Sequence, residues 1–207
     1  MERFLKADNW FFTGITKLVL LILVNAMFII GCIPVVTAGA SLGALYHTIH
    51  KNLMDNRGYT IPCFWEGFRS NLKQSTIAMV IFLAISAVLF ADDAIIRTMA
   101  QSGKINEGFS VLFWILLGLV WLYAIWVFAS IALFQNSLKN IMRNSLVLFF
   151  AELPTTVYTA VIIAFTAFTI WLIWPLIFLM PAVGIWLIGY RMQKVFRRYQ
   201  PEDTEGL

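Results

Sequence analysis

Four stretches of this chain run without a single Asp, Glu, Lys or Arg: Leu18 to Tyr46 (29 residues), Gln74 to Ala91 (18), Gly108 to Leu138 (31) and Leu153 to Tyr190 (38). About 20 apolar residues in a helix cross a hydrocarbon layer roughly 30 Å thick. Runs of this length therefore belong in lipid, and together they take up more than half of the 207 residues. The overall balance agrees, with 60% hydrophobic and 13% charged residues against roughly 45–50% and about 25% in a soluble domain. The sequence predicts an all-α, polytopic transmembrane helical bundle that forms one integral membrane domain over residues 1–207.

The number of crossings turns on the first run. As one helix, Leu18 to Tyr46 would be roughly 44 Å long, too long for one ordinary span and short for two. Pro34 interrupts it after Ile33, and Thr37 or Ser41 is placed to cap a second helix from about Ala38 to Met54. The basic residues arbitrate, because Lys and Arg in short loops stay on the cytoplasmic side. Six crossings with both termini inside put thirteen basic residues inside and only Arg97 and Lys104 outside, whereas a single first crossing gives ten against five. Six membrane helices are therefore expected, the second of them short or re-entrant, with both termini cytoplasmic. The last run, roughly 57 Å as one helix, must fold back. Trp171, Trp174 and Pro175 mark that turn, and Pro181 then kinks or begins the last helix. A helix from about Phe109 to Phe134 fills the third run, with Trp114 near its outer end. Lys17, the apolar stretch to Ile33 and the small residues Ala38 to Ala40 imitate a cleaved signal peptide, but the later spans would anchor the chain regardless.

Two segments on the inner side read as amphipathic surface helices. In Phe64 to Leu72, the residues Phe64, Trp65, Phe68 and Leu72 share one face while Glu66, Arg69 and Lys73 face elsewhere. In Asn136 to Glu152, Lys139 and Arg143 oppose Leu138, Ile141, Met142 and Leu146. The tetrapeptides Asn71-Leu72-Lys73-Gln74 and Ser137-Leu138-Lys139-Asn140 are alike, a weak internal repeat. Cys32 and Cys63, 31 residues apart, read as unpaired small hydrophobes. The formal charge of +4 follows from membrane orientation, and nucleic acid is not an expected partner.

The stretch from Ile33 to Tyr46, Ile-Pro-Val-Val-Thr-Ala-Gly-Ala-Ser-Leu-Gly-Ala-Leu-Tyr, resembles the hallmark segment of the YesL-like family of bacterial membrane proteins, a domain of unknown function. Phe64-Trp65 with Phe68 and Asn71 to Gln74 is similar to that family's cytoplasmic segment. Phe134 to Pro154, with Asn136, Leu138, Lys139, Asn144, Leu153 and Pro154, is similar to its later motif. The resemblance implies an accessory role in carbohydrate uptake, beside importers of the ATP-binding-cassette type and sensor kinases, an association of neighbours and not of chemistry.

The residues themselves offer little chemistry. The sequence has no phosphate-binding glycine loop, no Gly-x-Ser-x-Gly elbow and no His-Glu-x-x-His, so no catalytic residue, cofactor or metal site is expected. Asp92, Asp93 and Glu152 lie at helix ends, where solvation accounts for them. His47 and His50 are spaced for a shared ligand but lack a third partner. With Gly39 and Gly43 they form one helical stripe, which the sequence expects to pack the second helix on the first. Asn25, mid-span in the first helix, needs a hydrogen-bond partner, expected at the Thr37 to Ser41 turn or on a neighbouring helix. The candidate binding or packing seam is therefore Asn25, Pro34, Thr37, Gly39, Ser41, Gly43, His47 and His50. The candidate docking surface is Phe64, Trp65, Phe68, Asn71, Lys73, Asn136, Lys139 and Arg143. A non-enzymatic accessory, assembly or regulatory component leads the functional readings; its partners would be the lipid bilayer, importer subunits or a sensor kinase, and a homo-oligomer is open. A small transporter or channel with a broken-helix site at Asn25, Pro34, Gly39 and Ser41 is the alternative.

Overall fold

The computed structural model describes residues 2–54, 59–102, 108–134 and 136–199, with the side chains of 16–51 and of the three later segments. Arg57 and Lys104, counted in the charge argument, lie outside the described residues, as do the side chains of Arg3 and Lys6. All regular structure among the described residues is helical: α1 Glu2–Gly31, α2 Ala38–Thr48, α3 Thr60–Gln101, α4 Phe109–Leu133, α5 Leu138–Ala151, α6 Leu153–Leu172 and α7 Met180–Tyr199. Two 3-10 turns, Val35–Thr37 and Trp174–Phe178, and a π-helical continuation of α2, Ile49–Met54, complete the path. Three helices, α3, α4 and α6, are long and apolar enough to cross a membrane, and α1 adds a shorter apolar stretch, Thr16–Gly31.

The break after α1 falls where proline chemistry requires one. Pro34 adopts an extended backbone (φ −78°, ψ 116°), and its ring cannot continue a helix. The Thr37 hydroxyl lies 2.8 Å from the Gly31 carbonyl oxygen and 2.9 Å from that of Pro34, where it donates to carbonyls that the end of α1 leaves unserved. Thr37 therefore does not cap α2 with its side chain as expected; its hydroxyl is spent on the helix before. Ser41 lies inside α2, fully buried. At the other end of the chain, α6 stops at Leu172, the turn contains Trp174 and Pro175, and Pro181 occupies the second position of α7.

The larger departure is α3. Phe64 to Leu72 is not a separate surface helix but the early part of one 42-residue helix, about 63 Å long. Between Pro62 and Gln101 the sequence has no proline and one glycine, Gly67, and polar side chains alone do not end a helix. The buried face there is Thr60, Cys63, Phe64, Gly67 and Ser75, so Phe64 turns inward while Trp65 and Leu72 are exposed. The four aromatic and aliphatic residues do not share one face.

Helix α2 lies at the centre, packed against α1, α3, α4 and α7. Its contacts also correct the expected pairing of the glycine stripe. A methyl group on Gly39 would strike the Phe128 ring of α4, and one on Gly43 would meet the Phe128 carbonyl and Ala132, also of α4. The stripe thus seats α2 on α4, because these glycines let the backbones close up where no hydrophobic force operates between helices. Helix α1 meets α2 elsewhere, with Ser41 Oγ pressed on Gly31.

Beyond this packed region, α3 and α4 run on as a two-helix hairpin. Every buried residue of α4 falls between Ala124 and Ala132; before it, Phe109, Val111, Leu112, Trp114 and Ile115 are all exposed. An apolar surface of that extent is stable only in lipid. Near the hairpin tip, Phe90 packs edge-on against Trp114 at 5.8 Å. Asp93, expected to be solvated, is instead buried at 7% exposure; Arg97 Nε donates to its Oδ2 at 2.8 Å and the Ser110 hydroxyl donates to its Oδ1. At the opposite end, α4, α5 and α6 are tied by polar contacts. Tyr123 OH donates to the Met142 carbonyl at 2.8 Å, Ser145 Oγ to Ser130 Oγ at 3.0 Å and Trp126 Nε1 to Thr156 Oγ1 at 3.2 Å. Glu152, between α5 and α6, faces Arg198 of α7 at 3.6 Å.

Candidate functional site

The sequence placed candidates in two separate groups, and the fold regroups them. His47 and His50 of the seam and Asn71, Lys73 and Asn136 of the docking surface line one polar recess of about 1080 Å³. It forms where α2 and its π-helical continuation, the first part of α3 and the C-terminal end of α4 meet. Five further polar residues line it that the sequence did not single out as site residues: Lys51, Glu66, Ser70, Gln74 and Ser137. Gln74 and Ser137 belong to the two alike tetrapeptides, which was the available signal. The structure joins those segments directly, since Gln74 Nε2 donates to the Asn136 carbonyl at 3.0 Å. Lys51 and Glu66 face each other at 3.6 Å, a pairing across two helices that no local spacing announces.

His47 lies against α3, not α1. Its Nδ1 is 3.6 Å from Cys63 Sγ, and a methyl on Gly67 would come within 3.0 Å of that same nitrogen. His50 stacks on Tyr46 with ring centroids 6.5 Å apart. Both cysteines are free thiols. Among the described residues no three His, Cys, Asp or Glu side chains gather as metal ligands.

The remaining seam residues are dispersed. Asn25 is fully buried, and its Nδ2 donates at 2.8 Å to the carbonyl of Ile177, in the 3-10 turn between α6 and α7. Its partner is thus neither the Thr37 to Ser41 turn nor a helix, but a turn 152 residues away. Asn25 Oδ1 and Ser41 Oγ are buried without a hydrogen-bond partner. Pro34 is exposed. The seam between α1 and α2 therefore holds packed side chains among the described residues, and an apolar cleft of about 460 Å³ is bordered by Phe28, Leu42, Trp121 and Ile163. Of the other docking candidates, Phe64 is buried and Phe68 half-buried, with Trp65 stacked on Phe68 at 5.6 Å. Lys139 and Arg143 are exposed on α5, opposite its buried Ile141, Ser145 and Leu148.

Residues 21–92 match a family described as a protein of unknown function, DUF624. Over that stretch, about a third of the chain, the sequence is similar to DUF624 proteins. YesL is itself a DUF624 protein, so the match agrees with the resemblance carried by Ile33 to Tyr46 and Phe64 to Gln74. The matched segment covers residues 21–31 of α1, all of α2 and most of α3, and α2 with its continuation and α3 build one wall of the recess. The second wall, from α4 and the start of α5, lies beyond the DUF624 match, as does the similarity over Phe134 to Pro154. Neither a curated protein nor a solved structure matches the chain.

Proposed function

We propose that the chain is a multi-pass protein of the bacterial inner membrane that works without catalysis, as an accessory or regulatory component of a partner complex. Six crossings, by α1, α2 with its continuation, α3, α4, α6 and α7, put both termini and the recess on the cytoplasmic side, where the basic residues collect. The observation that carries the reading is the recess itself. A broad polar opening bordered by Lys73 and Asn136, with Trp65, Lys139 and Arg143 exposed, is a surface built to meet something in the cytoplasm. The family resemblance makes an importer of the ATP-binding-cassette type, or its sensor kinase, the first partner to seek. Purification in a mild detergent after lysine crosslinking should recover such a subunit, and Trp65→Ala with Arg143→Gln should reduce the yield. Recovery of the chain alone under those conditions rules the reading out.

A small transporter is the second reading, favoured by the unpartnered buried oxygens of Asn25 and Ser41. Packed side chains between α1 and α2 and the apolar mid-bundle cleft count against it. Flux through reconstituted vesicles, lost on Asn25→Leu, would reinstate it.

A further inference from the structure

The recess exceeds the roughly 300–1,000 Å³ of ordinary small-molecule sites, and the chemistry of its lining has a direction. Two lysines face one carboxylate, and that carboxylate, Glu66, is already met by Lys51. Lys73 has no acidic partner among the described residues. Asn136 spends its Oδ1 on Ser137 N at 2.7 Å and Asn140 Nδ2 at 3.2 Å, which leaves its own amide N–H groups to donate. The Asn71 side chain makes no hydrogen bond among the described residues and lines the recess from the same helix as Lys73. The bond from Gln74 to the Asn136 carbonyl ties the two walls of the recess together.

An ammonium without an acidic partner, beside amide N–H groups not otherwise engaged, suits an anion with many oxygens, and a phosphate group supplies three strong acceptors to a lysine point charge. We propose that the recess is a binding site for a phosphate-bearing ligand, anchored by Lys73 and oriented by Asn71 and Asn136. This goes beyond the docking role and does not depend on it, since a site for a small anion stands or falls without any partner protein. The phosphate comes either from a soluble compound or from the headgroup of an anionic lipid.

The test uses the full chain in phosphatidylcholine nanodiscs, titrated with inorganic pyrophosphate at constant ionic strength, beside nanodiscs doped with phosphatidic acid. Thermal unfolding and phosphorus NMR line widths are followed in both. A saturable rise in unfolding temperature in the pyrophosphate arm identifies a soluble ligand, and one in the phosphatidic acid arm identifies a headgroup. In either case Lys73→Gln should weaken binding roughly tenfold, the loss expected for one charged hydrogen bond, and Asn71→Ala severalfold. Arg69→Gln, a charge removed from the exposed side of α3 outside the recess, should leave it unchanged. No saturable response in either arm overturns the proposal, as does an equal loss from Arg69→Gln. The crosslinking experiment reads the partner independently, so the two can fail separately.

Discussion

Around α2 the helices approach so closely that a glycine is itself the contact surface, with Phe128 lying on Gly39 and Ser41 on Gly31. In the far half of the α3–α4 hairpin the same two helices present large side chains outward, Val88 at 62% and Val111 at 58% exposure. The contrast separates two ways of being stable in lipid. Hydrocarbon is as apolar as leucine, so outward side chains hold the hairpin in the bilayer without holding its helices together. Between the helices there, Ser110 of α4 donates to Asp93 of α3, which Arg97 of the same helix also holds, and Phe90 packs edge-on against Trp114. At the α2 end adhesion rests on shape, with hydrogen bonds securing the periphery.

Four substitutions probe that division. The largest effect is expected for Gly39→Leu, which drives a side chain into the Phe128 ring; a cost of about 3 kcal/mol or more should abolish a monodisperse peak in detergent, and Phe128→Ala in the same chain should restore part of it. A Gly39→Leu protein as stable as wild type would show that close approach is incidental. Next comes Asp93→Asn, which leaves Arg97 without its carboxylate at about 2 kcal/mol. Hydrogen exchange should rise at the hairpin tip and stay unchanged around α2; a uniform rise would mean the two regions unfold as one. Asn25→Leu should cost about 1 kcal/mol in chemical unfolding, the range of hydrogen bonds inside membrane proteins, because losing the bond to Ile177 is partly offset by removing the orphan Oδ1. The smallest effect belongs to Leu112→Ala on the exposed face of α4, within about 0.5 kcal/mol; a larger loss would reveal a partner packed on that face.

Much of the fold was legible in the residues. Pro34 and the Trp171 to Pro175 cluster mark the two breaks because proline and interfacial indoles act locally. The Phe109 to Leu133 helix follows from an uncharged run of the right length. What failed was any inference needing a distant partner. The glycine stripe of α2 announces close approach but not to what, and Phe128 lies far along the chain. Arg69, Asn71, Lys73 and Gln74 look like the end of a surface helix, yet they are one polar flank of α3, which nothing in the backbone interrupts. The candidate site was legible as two halves, His47 with His50 and Asn71 with Lys73 and Asn136. Only the packing of α3 between α2 and α4 makes them one recess.

The bond from Asn25 to Ile177 has a consequence for biogenesis. A ribosome delivers the first helix long before the turn that will satisfy it exists, so this amide waits in the bilayer, or at the insertion machinery, through almost the entire synthesis. Chains stalled before residue 177 would carry the Asn25 amide without this acceptor however complete their other helices are.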